Sequence, residues 1–442
     1  MTIRMDEGAA ELLDTLHRAG YAAYVVGGCV RDSLLGLTPH DWDLCTSALP
    51  QQGMELFGAE KCIPTGLQHG TVTVKQGGGL YEMTTFRTEG AYTDGRHPDE
   101  VHFVPDVRED LARRDFTINA MAYNAKEGLV DPFGGQADLQ SGILRAVGVP
   151  RQRFTEDALR ILRLYRFAAR FGFSIDPPTA QAAQELCAHL DCVSVERIEE
   201  EIAKLLSAPA PGAYLDEKIL GVVLPELSPE ALAAAKPVVD ACPAGERALP
   251  VRLAALLLSL GEDGTRRTLR RLRCSNACIE ETAVLVREIV SGVPGAFSSD
   301  TNRAIPSPAL LPAATGSHPG GRSSEKLPAR PPVSLNIYTR KLLGQYGLKT
   351  VRRLAALGTA LQPEHAADFA ALSELAEQLD ADGVCCRVSQ LAVNGRDLMA
   401  AGVPAGPGIR KVLEALLDGV IREEYPNERQ ALLAAVQQLA AS

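Results

Sequence analysis

Residue 150 divides this chain by its periodicity. Before it, short β-like runs (70–75, 80–87 and 101–104) alternate with helical stretches and frequent turns. After it the apolar spacing is almost wholly helical, in stretches around 155–172, 178–190, 195–207, 230–241, 248–260 and 265–291. A chain patterned this way folds as α+β, with a small N-terminal sheet followed by helices only. Its 442 residues suffice for two or more domains with cores of their own. We divide it at 1–150 (sheet-bearing), 151–210 and 211–296 (helical), 297–334 and 335–442. The segment 297–334 is rich in Pro, Ser and Gly and has no periodicity, so it reads as a flexible insertion. The last region is helical and carries LAVNGRDLMAAGVPAGPGIRKVLEALLDGVI, whose Gly/Pro part predicts a tight turn ahead of a helix.

The run VVGGCVRDSLLGLTPHDWDLCTSA holds the strongest chemical signal. Residues 23–26 read as an apolar strand, 30–35 as one or two helical turns, and 41–46 as a second strand carrying Asp41 and Asp43. Side chains alternate along a strand, so both acids face one way and can hold adjacent metal ions. Gly27 and Gly28 let the backbone approach a phosphate where a Cβ would obstruct it. The helix that follows, with Arg31, can present donors to the anion. A lone DxD is more often a surface turn; the glycine pair, Arg31 and the blocks downstream favour catalysis.

In GTVTVKQGGGLYEMTTFR the alternation predicts two adjacent strands with a glycine turn at 77–79. Glu82 shares a face with Thr84 and Phe86, and beside Asp41 and Asp43 it would complete a three-carboxylate metal site. The stretch 88–103 reads as a loop of the kind that closes over substrate. RRDFTINAMAYN then gathers Arg114, suited to phosphate oxygens, and Asn119, suited to a sugar or phosphate. Asp115, in the same run, either orients the arginines or binds a ribose hydroxyl. DPFGGQADL reads as a structural turn.

The block FTEDALRILRLYRFAARFGF predicts a helix capped by Thr155, with Asp157 and Arg160 on one face. An intrahelical ion pair is the ordinary reading of that spacing. The sharper one is a base reader: cytosine and adenine each set an amine donor beside a ring-nitrogen acceptor, matching an aspartate and an arginine. Uracil and guanine have the opposite polarity and would leave buried groups unpaired. Arg163, in the same arginine-punctuated segment, is a further nucleotide-binding candidate.

Net charge is −10, which argues against general nucleic-acid stickiness but permits a local basic groove. TRRTLRRLR offers one: Arg266, Arg267 and Arg270 are candidate RNA contacts, or else a solvated helix face. Ten scattered cysteines without zinc spacing suit buried thiols in a reducing compartment. No apolar run approaches a membrane span, and the N-terminus reads as an amphipathic helix rather than a signal peptide, so a cytoplasmic address is expected.

GGCVRD, DWDLCTSA, PTGLQHGTVTV, EMTTFR, RRDFTINAMAYN, DPFGG, EDALRILRLYRFA, VNGRDL and GPGIRKVLE closely resemble the motifs of bacterial class II tRNA nucleotidyltransferases, the CCA-adding enzymes of the DNA polymerase β superfamily. The resemblance is specific over 20–210 and looser over 335–430. It implies a seahorse-like head, neck, body and tail, with a nucleotidyltransferase head at 1–150, a base-reading neck and a tRNA-binding tail. It implies two Mg²⁺ ions on Asp41 and Asp43, with Glu82 as third carboxylate. Asp157 and Arg160 would serve as protein template, and Arg114 and Asn119 as nucleotide contacts. The substrates would be ATP, CTP and a tRNA held by its acceptor and TΨC arms, with no membrane and no obligate protein partner.

The insertion departs from the family's pattern, and the only His-Asp dipeptide is His40-Asp41, so a phosphohydrolase body is not expected. An uninterrupted 88–103 argues against CC-only addition, and PTGLQHGTVTV against a poly(A) polymerase. Addition of A alone stays open. From other classes, a catalytically silent tRNA-binding protein has no chemical need of the acid pair. A small-molecule nucleotidyltransferase does not explain the long helical region.

Overall fold

The computed structural model describes residues 2–90, 101–291 and 335–441. By contact the chain divides into two compact units, Met1–Pro225 and Glu226–Ser442.

The first unit is built on a seven-stranded sheet. Its strands are β1 (Ala23–Val26), β2 (Leu44–Thr46), β3 (Cys62–Gly66), β4 (Thr71–Gln76), β5 (Gly79–Thr85), then, past a small hairpin of β6 (Arg87–Glu89) and β7 (Val101–Phe103), β8 (Ala122–Asn124) and β9 (Gly128–Val130). Spatial order is β3-β4-β5-β2-β1-β8-β9, antiparallel at every pair except β2 with β5. β1 is buried at all four positions, which explains its unbroken apolar run: a central strand covered on both faces has no polar side to alternate with. Tyr24 and Val26 meet Cys45, Phe86 and Leu111 in one core cluster. The N-terminal helix Glu7–Arg18 is capped by Asp6 and buries Leu12, Leu13 and Leu16.

The β4–β5 hairpin turns as the sequence indicates, with Gly77 and Gly78 at φ 56° and 86°, a region that favours glycine. β3, β8 and β9 were not foreseen. The expected strand 41–46 is shorter: pairing begins at Leu44, and Asp41 and Asp43 lie in its extended lead-in. The reason is β1, which ends at Val26 and turns away at Gly27. Only the Val26 N–H, donating to the Asp43 carbonyl at 2.9 Å, carries the ladder one residue further. Of the expected loop 88–103, the two ends are the strands β6 and β7, and 91–100 lie outside the described residues, as does the insertion at 297–334. DPFGG is a turn, but QADL belongs to the helix Gly135–Ser141, whose first amides are held by Asp131.

A larger difference falls at residue 157. The expected single helix is two, Pro150–Glu156 and Leu159–Phe171, with Asp157 extended between them at φ −144°. Thr155 is therefore no cap: its hydroxyl donates back to the Arg151 carbonyl. Asp157 takes that part, accepting the Leu159 N–H, and such local side-chain bonding competes with helix continuation. Leu159–Phe171 then buries Ile161, Leu164, Phe167 and Ala168 and ends at Gly172 in the left-handed region. Pro177–Leu186, Val195–Leu206 and the unforeseen Glu217–Val223 follow.

The second unit is helical in its described residues: Pro229–Ala241, Leu249–Leu257, Gly261–Arg271, Asn276–Val290, Leu335–Tyr346, Leu348–Leu361 and Ala366–Ala381. The stretch 265–291 breaks in two because Ser275 caps a new helix after Arg273, whose φ is 56°. Near the C-terminus Gly395–Ala400, capped by Asn394 of VNGRDL, and the helices Gly408–Ile421 and Arg429–Ala441 share a small core of Leu398, Leu416, Val420 and Leu432. The Gly/Pro run turns just ahead of Gly408–Ile421, as its composition indicates. All ten cysteines are free thiols, seven of them buried. No helix among the described residues is long and apolar enough to cross a membrane.

Phe116 joins the sheet side of the first unit to its long helix, fully buried and edge-on to Phe167 at 5.9 Å between ring centroids. Phe116→Ala should cost about 3–5 kcal/mol, the usual range for deleting a buried aromatic. Chemical denaturation, with hydrogen exchange at 159–171, would show it as a lower midpoint and faster exchange there.

Candidate active site

The turn after β1 sets the geometry. Gly27 has φ +75°, and a Cβ there would sit 2.9 Å from Nη1 of Arg114 and 3.6 Å from the Asn119 carbonyl oxygen. Glycine is thus required at 27 by conformation and by the guanidinium crossing the turn. At Gly28 a Cβ would meet only Arg31 Nη2, at an ordinary 3.6 Å, so any need for glycine there comes from a ligand. Arg114 is held by the fully buried Asp110 at 3.4 Å, and its Nε is buried without a partner among the described residues. An orphaned guanidinium nitrogen beside a tight turn fits an anion-binding position.

Asp43 lies near it, with Glu82 and Asp41 close enough to act on its charge. β2 and β5 pair with Leu44 opposite Met83, which sets Glu82 alongside Asp43. Asp43 keeps an open face to solvent, yet enough protein surrounds its carboxyl that desolvation leads in pushing it up to about 6. Glu82 and Asp41 push the same way, and Arg114 opposes them. A carboxylate repelled by two others fits a cation, whose charge would relieve that repulsion. No group of three or more such side chains is already gathered in metal-holding positions among the described residues.

The other candidates form a buried chain of charge. Arg31 lies over the rings of Phe167 and Phe171, 5.3 and 5.0 Å from their centroids, and bonds Asp32 and, at 2.6 Å, Asn119 Oδ1. Asn119 donates to Asp115 Oδ1 at 3.0 Å, and Arg163 grips Asp115 Oδ2 through two nitrogens at 2.9 and 2.6 Å. Burial alone would raise the Asp115 carboxyl; Arg163 first, then the Asn119 hydrogen bond, hold it well below the usual carboxylate range. Asp115 is thus bonded to Arg163, the contact that its orienting role requires. Arg31 and Asn119 likewise have their polar ends engaged inside this network.

Asp157 and Arg160 are neighbours without being paired, contrary to the ordinary reading of their spacing. Asp157 bonds Arg197 at 2.7 Å. Arg160 bonds Glu156 at 2.7 Å and the carbonyls of Arg153 and Arg113 at 3.1 and 3.0 Å. Arg113 is anchored by Asp110, the same carboxylate that holds Arg114. Asp110 thus anchors both Arg114, beside the carboxylates, and Arg113, whose carbonyl holds Arg160. Sequence reasoning missed Asp110, Arg197, and Glu201, which holds Arg166. Only a count of arginines needing partners on 153–170 signalled that acids must come from elsewhere.

The candidate RNA contacts lie in the second unit and differ among themselves. Arg266 is engaged by Glu262 and Glu280, which removes it from ready contact, whereas Arg267 and Arg270 are exposed.

Residues 23–145 match the poly A polymerase head domain, 172–230 the "Probable RNA and SrmB- binding site of polymerase A", and 337–436 the tRNA nucleotidyltransferase domain 2. A CCA-adding enzyme of Lactiplantibacillus plantarum is 36% identical over 435 residues, covering 97% of this chain and 95% of that protein. The crystal structure of the Bacillus stearothermophilus CCA-adding enzyme in complex with CTP superposes with a TM-score of 0.78 at 30% identity, over 99% of this chain and 98% of that one. A Thermotoga maritima CCA-adding enzyme complexed with tRNA shares the fold, with a TM-score of 0.59 at 20% identity over 98% and 94% of the two chains.

A carboxyl held above its ordinary value binds a proton more readily folded than unfolded. Its cost to stability is therefore full above about pH 6, shrinks as pH falls, and is gone below the ordinary value of 3.8. In chelator, Asp43→Asn should melt higher than the parent at pH 7.5, with the gap closing toward pH 4. A variant melting no higher at pH 7.5 would remove the repulsive cluster from the account.

Proposed function

The chain belongs to the CCA-adding enzymes, and from that membership and its site we propose that it builds the 3′-terminal CCA of tRNA from CTP and ATP, releasing pyrophosphate. It is a nucleotidyltransferase of a family that uses divalent metal. The observation that carries the reading is that Asp110 anchors both Arg114, beside a cation-seeking carboxylate cluster, and Arg113, whose carbonyl holds Arg160 of an Asp157–Arg160 pair of the polarity that cytosine and adenine share.

Under this reading 1–150 is the catalytic head, 151–210 the base-reading neck, 211–296 the body and 335–442 a tail that, with Arg267 and Arg270, meets tRNA. Asp41 and Asp43, with Glu82, would hold Mg²⁺. Bound there, Mg²⁺ supplies the Lewis acidity that lowers the pKa of the tRNA 3′-hydroxyl and neutralises charge on the triphosphate and the departing pyrophosphate. The protein's own part is positioning. The Gly27-Gly28 turn brings backbone close to the phosphates, and Arg114, with its unpartnered Nε, supplies fixed positive charge across that turn. Asp157 accepts from the exocyclic amine of C or A, and Arg160 donates to the ring nitrogen. Arg31, Asp115, Asn119 and Arg163 keep these groups in register from within, so that the hydroxyl meets the α-phosphorus in line. The tRNA is read chiefly by backbone and shape. Free thiols throughout suit the reducing cytoplasm, where tRNA matures.

The test is extension with Mg²⁺ of three tRNA transcripts, ending at the discriminator base, in C and in CC, with CTP and ATP alone and together. Full CCA on the shortest transcript is expected, with a loss of about 10³-fold or more in Asp41→Ala/Asp43→Ala. Extension of the CC-ended transcript alone would make this an A-adding enzyme. Extension of none, with tRNA still bound, would leave a binding protein.

A further inference from the structure

The two halves of the base-reading pair are anchored by different groups. Arg160 is fixed by Glu156 and by the Arg153 carbonyl, both from the helix before the break, and by the Arg113 carbonyl. Asp157 is fixed from elsewhere: Oδ1 accepts the Leu159 N–H at 3.0 Å, and Oδ2 accepts Nη2 of Arg197 at 2.7 Å. Arg197 sits forty residues on, in the helix Val195–Leu206. Both partners are largely withdrawn from solvent, with side-chain exposures of 22% for Arg197 and 14% for Asp157.

One backbone N–H does not determine the plane of a carboxylate; a second, charged donor on the other oxygen does. A carboxylate has about four lone-pair sites, so two remain for the exocyclic amine of a bound base. We propose that Arg197 is a positioning residue that sets nucleotide discrimination, by fixing the plane of the Asp157 carboxylate and excluding water from its Oδ2. The inference rests on Asp157 and Arg160 being the base reader. The physical reason for lost discrimination is water. If the guanidinium is gone, a water can donate at once to Asp157 and to the carbonyl oxygen of uracil, turning an unpaired acceptor pair into a bridged one.

The measurement is single-nucleotide addition by the full-length enzyme to a transcript ending at the discriminator base, with kcat and KM for CTP and for UTP. Arg197→Ala should lower the CTP-over-UTP ratio of kcat/KM about tenfold, mostly through a lower KM for UTP. A merely structural role would slow both nucleotides equally and leave the ratio alone, and that result overturns the proposal. Arg197→Gln keeps length and a donor without the charge. Should the alanine variant not fold, a lowered ratio in the glutamine variant at an unchanged melting temperature supports the proposal, and a parental ratio overturns it. Asp157→Ala separates the two layers. If it too leaves the ratio unchanged, the base-reader assignment itself fails. If it collapses the ratio while Arg197→Ala does not, only the role of Arg197 falls.

Discussion

The join of sheet and helix in the first unit centres on the buried carboxylate of Asp115. It receives Asn119 on one oxygen and a two-pronged Arg163 on the other, and its own Oδ1 also takes the Phe116 N–H. Taking one partner from such a buried pair costs about 3–5 kcal/mol, because the other charge is left in a medium that solvates it poorly. That cost makes the join rigid. Asn119 belongs to the loop before β8 and Arg163 to the helix Leu159–Phe171, so Asp115 fastens sheet to helix at the level of the active site. Arg31 extends the join by packing over Phe167 and Phe171 while bonding Asn119, which draws in the turn at Gly27.

Around this fixed frame the site keeps two electrostatic imbalances. The carboxylate cluster carries more negative charge than Arg114 can balance, and Arg114 carries a nitrogen that no group among the described residues satisfies. The remaining arginines on 153–166 are matched by Glu156, Asp115 and Glu201. Residual repulsion and residual hydrogen-bonding capacity thus meet at one place, where a cation and a polyphosphate bound together would answer both. The overall charge of −10 is no obstacle, since these fields act over a few ångströms.

Much of this was legible in the order of residues. A fully apolar four-residue run followed by two glycines marked β1 and its turn, and period-two alternation around 77–79 marked the β4–β5 hairpin, because both signals are local. What was not legible depends on partners far away in the chain. β2 is short because β1 ends early, which nothing in DWDLCTSA announces. The helix breaks at Asp157 although its flanks read as one continuous amphipathic pattern. The carboxylate that bonds Leu159 N–H is in turn held by Arg197, forty residues on. Arg266 looks like an RNA contact in TRRTLRRLR, and only the fold reveals Glu280 taking it up. Side-chain type and spacing identify which groups a site owns; which of them are free to meet a ligand is decided by tertiary neighbours.

If one buried acid makes sheet and helix a single site, nucleotide binding must depend on Asp115 without contact at the base. Calorimetric titration of CTP and Mg²⁺ into Asp115→Asn, a near-isosteric change, tests this most directly. The account predicts a binding constant weaker by at least about tenfold, from about 1.4 kcal/mol or more of lost orientation at Asn119 and Arg163, with the fold retained by circular dichroism. Parental affinity for CTP in that variant would contradict it.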